Sequence, residues 1–193
     1  MADIMEILVA IGVGAYLIVP AYIPNAAASL FGRHSKTMID FGKSWRGKRI
    51  LGDGKSWLGF FGGVLTGVLT GLLIMGISAI WDPVNYGGYG PFWTNVSIIT
   101  CLSTGALLGD ICGAFIKRRL GMERGQKAPI LDQYDFVAGS FLFTSIFHWD
   151  FIYANYFEGV HIAAFITILL VTFAIHRSVN IIGYKMGLNK EPW

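Results

Sequence analysis

Three aspartates stand where an apolar chain has little reason to keep a charge. Asp110 lies deep in the run "GDICGAFIKRR" (109–119), and Asp132 and Asp135 open the next apolar run in "PILDQYDFVAG" (129–139). Ionisable groups inside a membrane segment are expensive and tend to carry function. Asp110 and Lys117 are seven residues apart, two turns of a helix, so they share a face. Asp132 and Asp135 are spaced i, i+3 and share a face as well. The connection between the two runs is short, so the helices are expected to be antiparallel neighbours that bring the three carboxylates to similar depth. Clustered carboxylates repel unless a cation joins them. Mg²⁺ suits oxygen ligands and commonly bridges carboxylates to substrate phosphates. Lys117, Arg118 and Arg119 close the first run. Metal and Lys/Arg clamps together are what a polyphosphate in transfer needs. The plainer readings are that Asp110 only pairs with Lys117 or Arg118 and that Asp132 only caps a helix.

The elements that must position these groups are membrane helices. Charged residues are 14% of the chain and hydrophobic ones 54%, against about 25% charged in soluble domains. Mean hydropathy is +0.56. Several apolar runs reach the roughly 20 residues of a bilayer-crossing helix. Five spans are predicted, at about 4–24, 57–80, 94–116, 136–157 and 160–182, in one all-α polytopic membrane domain over 1–193. The first is read as a retained span, because a signal peptide needs a basic start and Asp3 and Glu6 precede any Lys or Arg.

All 15 Lys and Arg fall in three sets: the segment 32–56, the segment 117–132, and the C-terminal end. The loops 81–93 and 148–160 have none. The positive-inside rule therefore places the N-terminus outside, the C-terminus in the cytoplasm and both basic loops at a cytoplasm-facing site. The aromatic residues of the two uncharged loops are read as interfacial anchors. Gly59, Gly63, Gly67 and Gly71 form a small-residue stripe suited to close helix packing, either within the chain or in a homodimer. Cys101 and Cys112 are read as small packing residues, and the four histidines show no zinc spacing.

The segment "GKSWRGKRILGDGKSWLGF" (42–60) ends in a Gly-Lys-Ser that resembles a P-loop. The P-loop is rejected: Arg49 stands where its first glycine belongs, and a loop between spans offers no parallel strand. Its glycines still let backbone N–H groups approach phosphate, and Arg46, Lys48, Arg49 and Lys55 supply charge. The alternative is a solvated basic loop that sets topology or binds anionic headgroups.

The motifs "PAYIPNAAASLFG" (20–32), "IDFGKSWRGKRILGDGKSWLGFFGG" (39–63), "GALLGDICGAFIKRRLGMERG" (105–125) and "PILDQYDFVAG" (129–139) resemble those of the archaeal CDP-archaeol synthases, relatives of the CDP-diacylglycerol synthases. The resemblance covers nearly the whole length. It implies attack by the phosphate of an isoprenoid ether lipid, unsaturated archaetidic acid, on the α-phosphorus of CTP, with Mg²⁺ as the metal, in the cell membrane and with no nucleic-acid partner. The relatives' pattern G-D-x-x-x-S-x-x-K-R is met by Gly109-Asp110 and Lys117-Arg118, and their D-R-x-D by Asp132 and Asp135. Ala114 replaces the Ser and Gln133 the Arg, so Arg119 or Lys127 is the expected substitute cation. Asp110, Asp132 and Asp135 are thus expected at the metal, with Lys117, Arg118, Arg119, Lys55 and Arg46 on phosphate. Asp53 and Asn25 are further polar candidates. Two rivals were weighed. A CDP-alcohol phosphotransferase would need D-G-x-x-A-R followed by G-x-x-x-D-x-x-x-D, which "DQYDFVAGS" does not supply. An anion transporter is disfavoured by the lack of an inverted repeat.

Overall fold

A computed structural model describes residues 3–33, 35–123, 126 and 128–185. The described chain is built from helices: α1 (Ile4–Leu17), α2 (Val19–Gly32), α3 (Trp57–Ser78), α4 (Phe92–Arg119), α5 (Pro129–Phe147), α6 (Trp149–Tyr156) and α7 (Ile162–Lys185). One two-stranded hairpin, β1 (Ser44–Trp45) with β2 (Lys48–Arg49), interrupts them between α2 and α3.

Among the described residues three stretches are long and apolar enough to cross a bilayer: α1 with α2 (29 residues), α3 and α4. A fourth is α6 with the helix that follows, if the pair, bent by 82°, is counted as one. The helix boundaries differ from expectation at two places. The first span is longer than predicted and breaks at Ile18, where Ala21 N–H bonds to the Ile18 carbonyl. Pro20 and Pro24 supply no N–H, so carbonyls along α1–α2 need other partners. Tyr89 donates to the Leu17 carbonyl (2.9 Å) and Ser103 to that of Pro20 (3.3 Å). The predicted span 136–157 is two helices. It begins earlier, at Pro129, a residue pre-organised for the first helical turn, and it breaks at His148 (φ −139°, ψ 54°). Asp132 and Asp135 therefore lie within α5, and Lys117, Arg118 and Arg119 lie on α4 rather than in a loop.

α4 is the central helix: 61% of its apolar window is buried, against 22% for α3. Its Ile98, Ile99, Leu102 and Ala106 join Leu17 and Ala21, Phe136 and Phe141, and Ile152 and Tyr156 in one core. Two aromatics assigned above to interfacial anchoring belong to that core. Tyr89 and Tyr156 are buried, and Tyr156 donates to the Gly14 carbonyl at 3.0 Å. Trp81, Phe92, Trp93, Trp149, Tyr153 and Phe157 are exposed. Cys101 is buried, Cys112 is exposed, and both are free thiols.

The glycine stripe of α3 is used inside the chain. Gly59, Gly63, Gly67 and Gly71 are buried, while Leu58, Phe61, Leu65, Leu69 and Leu73 point outward. A Cβ on Gly63 would stand 2.7 Å from the Pro24 carbonyl oxygen and 2.8 Å from Leu107 Cδ1. α2 and α4 thus occupy the face that a homodimer would have needed. Gly63→Val is expected to destabilise the bundle by about 1–3 kcal/mol, the usual range for overpacking. Thermal unfolding in detergent checks this, and an unchanged midpoint would mean that the stripe tolerates bulk.

Candidate active site

The α4–α5 contact sets the site. Gly105, Gly109 and Gly113 recur every fourth residue on α4 and meet α5 at Asp135 and Gly139. A Cβ on Gly109 would strike the Asp135 carbonyl, and one on Gly113 would strike the Asp135 carboxylate. Missing side chains on α4 therefore make the space that the Asp135 carboxylate fills. The period was present in the sequence, but only the matching stripe on α3 was read there.

The charges are arranged along this seam. Asp110 on α4 is ion-paired with Lys55, which reaches across from two residues before the start of α3. One turn beyond Asp110, the Asp135 carboxylate rests on Gly113 and accepts the Phe136 N–H at 2.7 Å. A further turn along, Lys117 bonds Asp132 at 2.6 Å. Asp132 also accepts the Ala128 N–H at 2.9 Å, satisfying a donor at the start of α5. Asp135 has no ion pair of its own among the described residues, and it lies in range of the charges of Asp110, Lys117 and Lys55. Three carboxyl groups thus meet two ammonium groups, and one carboxyl group is left without an ion pair among the described residues. The expected convergence of all three aspartates into one group is not what the chain adopts: among the described residues no three Asp, Glu, His or Cys side chains are gathered as a metal cage. Asp132 is held instead by Lys117 and the Ala128 N–H at the helix start, so Asp110 and Asp135 are the closer pair.

Beside Lys55 and Asp110 is a cleft of about 30 Å³, also lined by Asn25, Ser29 and Ser56. Ser56 caps α3, accepting the Gly59 N–H at 3.1 Å. That cap fixes where the preceding residue, Lys55, leaves the loop. The Asn25 Oδ1 is buried and has no hydrogen-bond partner among the described residues. Buried polar atoms normally have one, so a donor is missing on that side of the cleft.

The basic loop above the seam is folded around a residue absent from the expected set. The Asp40 carboxylate has no exposed side-chain surface. It accepts the N–H groups of Gly42, Leu51 and Gly52, each at 3.0 Å, and the Arg49 guanidinium at 3.0 Å. Its sequence signal is the D-x-G of an Asp turn at 40–42. Burial raises the pKa of this carboxyl, but the bonds from Gly52, Arg49, Leu51 and Gly42 outweigh that and lower it from 3.8 to about 2. A carboxyl more acidic in the fold than in the unfolded chain stabilises the fold above its unfolded pKa. That contribution shrinks below 3.8 and is lost as the pH falls through about 2. Hydrogen exchange of the Leu51 and Gly52 amides is therefore expected to stay slow from neutral pH to about 4 and to lose protection toward pH 2. Asp40→Asn should be less protected across the whole range, and identical protection in the variant would remove Asp40 as the anchor.

Several residues predicted to bind phosphate have local work in this loop. Asp53 pairs with Arg49 at 2.7 Å. Arg118 donates to the Leu51 and Met122 carbonyls. Arg119 holds the hairpin, donating to the carbonyls of Trp45 (2.6 Å), Lys48 (3.1 Å) and Arg49 (2.7 Å), and it lies over the Trp45 and Phe115 rings. The structure thus gives Arg119 a bolting role between α4 and the hairpin. Arg46 is exposed at the hairpin turn, stacked on Trp45 at 5.3 Å. A polar depression of about 460 Å³ opens between Lys48, Arg49, Asp53 and Arg118. Lys127 lies outside the described residues.

Paired carboxylates and lysines beneath a basic loop, at one end of an apolar helical bundle, define a membrane protein equipped to handle phosphate groups. The comparisons narrow that class. The model of the CarS-like CDP-archaeol synthase family matches residues 4–193. A CDP-archaeol synthase of Methanoregula boonei is 48% identical, over 91% of this chain and 99% of its own. One from Picrophilus torridus is 45% identical, over 92% and 94%. A solved structure described as an intramembrane enzyme for archaeal membrane lipids biosynthesis aligns with a TM-score of 0.65 and 29% identity, covering 93% of this chain and 95% of that one. The chain belongs to the CDP-archaeol synthase family.

Proposed function

We propose that the protein transfers the cytidylyl group of CTP to unsaturated archaetidic acid, giving CDP-archaeol and pyrophosphate. The observation that supports the site assignment is the α4–α5 seam, where the Asp110–Lys55 and Asp132–Lys117 pairs flank Asp135, which has no ion pair among the described residues. An oxygen of the lipid phosphate attacks the α-phosphorus of CTP. The bond from that phosphorus to the bridging oxygen breaks, and pyrophosphate leaves with the electron pair. The nucleophile is already an anion, so no strong general base is required. Catalysis rests on alignment and on stabilising charge as the pyrophosphate departs.

The cleft beside Lys55 has room for about one water. A phosphate enters when Lys55 exchanges the Asp110 carboxylate for a phosphate oxygen. Lys117 makes the same exchange from Asp132. The Asn25 side chain lines the cleft, and its Oδ1, without a partner among the described residues, is an acceptor for a donor group of the substrate. Arg119 and Asp40 act indirectly, by holding the loop that carries Lys55.

The freed carboxylates suit Mg²⁺ by the chemistry of their donors: hard oxygens, one of them without a cationic partner. Asp110 and Asp135 would hold the ion, with Asp132 beside them. When bound it would neutralise charge on the triphosphate. The proposed topology is five crossings, with the N-terminus outside and the basic loops in the cytoplasm, supported by the confinement of every Lys and Arg to three segments. Purified protein supplied with CTP and the lipid phosphate should form CDP-lipid, stop in excess chelator and resume when Mg²⁺ is restored. Undiminished turnover in chelator would remove the metal from the site.

A further inference from the structure

α5 separates two apolar grooves that begin at the same end. One lies between α4 and α5, has a volume of about 330 Å³, and is walled by Cys112, Ile116, Leu142 and Ile146, with Asp135 among its lining residues. The other lies between α5, α6 and α7, has a volume of about 550 Å³, and is walled by Phe141, Trp149, Phe157 and Leu169, with Tyr134 in its lining. Both volumes fall within the range of small-ligand pockets, roughly 300–1,000 Å³. Ala138 and Leu142 line both grooves, so only a ridge of α5 divides them. Leu142 and Ile146 are 70% and 72% exposed, leaving apolar surface for something to cover.

The glycines that bring α4 against α5 also form the floor of the first groove: Gly109, Gly113 and Gly139 all line it. The packing that seats the Asp135 carboxylate therefore opens an apolar channel leading away from it. Consecutive residues of α5, Tyr134 and Asp135, line the second and the first groove respectively. From Leu131 to Ile146 the first follows α5 for about 22 Å at 1.5 Å per residue, a path for a long chain rather than for a compact group.

We propose that the two hydrocarbon chains of the lipid phosphate straddle α5, one in each groove, with the glycerol phosphate at the Asp135–Lys117 end. The assignment rests on the proposed reaction for the identity of a two-chain substrate. It adds where the chains lie and makes α5 the element that measures their number. A lipid with two chains needs both grooves, and a lipid with one needs either.

Two substitutions each fill one groove and replace none of the charged residues of the seam. Cys112→Trp fills the α4–α5 side, and Ser145→Trp fills the α5–α7 side, where Ser145 lines only that groove. With a two-chain isoprenoid lipid phosphate, each variant is expected to raise the KM for lipid by about tenfold or more, while the KM for CTP stays within twofold. With a single-chain lipid phosphate, each variant should stay close to the parent, and only the double variant should lose affinity. As a binding readout independent of turnover, the two-chain lipid phosphate should slow maleimide labelling of Cys112 at least fivefold. Parental KM values in both variants, or unprotected Cys112, would show that the grooves hold only bulk lipid and would overturn the assignment. The proposed reaction is judged separately, by CTP-dependent turnover of the parent protein. An active parent with indifferent variants rejects the grooves alone.

Discussion

Asp135→Asn is expected to lower kcat by about 10²–10³, the size of effect that follows loss of one preorganised electrostatic group in an active site, while leaving the protein folded. The substitution keeps the shape of the side chain. The carboxylate sits in the space left by Gly113 and accepts the Phe136 N–H, and an amide oxygen can keep that bond. What is removed is the one carboxyl group of the three without an ion pair among the described residues. Because this group lies between the two ion pairs, it is the one available to a metal–phosphate complex without first breaking a bond to lysine. Steady-state turnover with labelled CTP, beside a thermal unfolding curve in detergent, checks both halves. A variant within threefold of the parent rate would take Asp135 out of the chemistry and leave it as a packing residue of the α4–α5 seam.

Lys55→Ala should lower kcat/KM for CTP by about 10², with Lys55→Arg recovering part of the loss. Lys55 is placed by two devices outside the site: the Ser56 cap of α3 and the loop folded on Asp40. Its removal also strands Asp110, whose side chain is only 24% exposed, so a stability loss accompanies the kinetic one. The two effects separate in a double-mutant cycle with Asp110→Asn. Neutralising both partners should return much of the stability, because neither charge is left unpaired. It should return none of the turnover, because both phosphate-facing and metal-facing groups are then gone. Recovery of turnover in the double variant would make the pair structural.

The sequence led directly to the helical membrane class, because charge depletion and long apolar runs depend on composition alone. It also located the aspartates, since a carboxylate in an apolar run is conspicuous. The break at Ile18 was hidden, because apolar residues continue through it and the interruption rests on Pro20, Pro24 and partners distant in sequence such as Tyr89. The division at His148 falls in the stretch Phe147-His148-Trp149-Asp150, where two polar residues interrupt the apolar run. Which lysine meets which aspartate was hidden too. Helical spacing put Lys117 on the face of Asp110, yet Lys117 bonds Asp132 across the seam and Asp110 takes Lys55 from a loop 55 residues away. Arg119 illustrates the same limit. A terminal arginine reads as a phosphate ligand or a topology marker, and only the folded hairpin presents it with three carbonyls. Asp40 had a turn motif, but it stands outside the long apolar runs that make the other aspartates conspicuous.

The central claim is that a lipid phosphate attacks the α-phosphorus of CTP at the α4–α5 seam. The most direct test is the fate of isotope. Purified protein in lipid bilayers is given the lipid phosphate and CTP labelled at either the α- or the γ-phosphorus. The account predicts that the α-label enters the lipid and the γ-label leaves in pyrophosphate, in equal amounts, with both transfers lost in Asp135→Asn. Label from the γ-position in the lipid, or release of pyrophosphate without a labelled lipid, would contradict it.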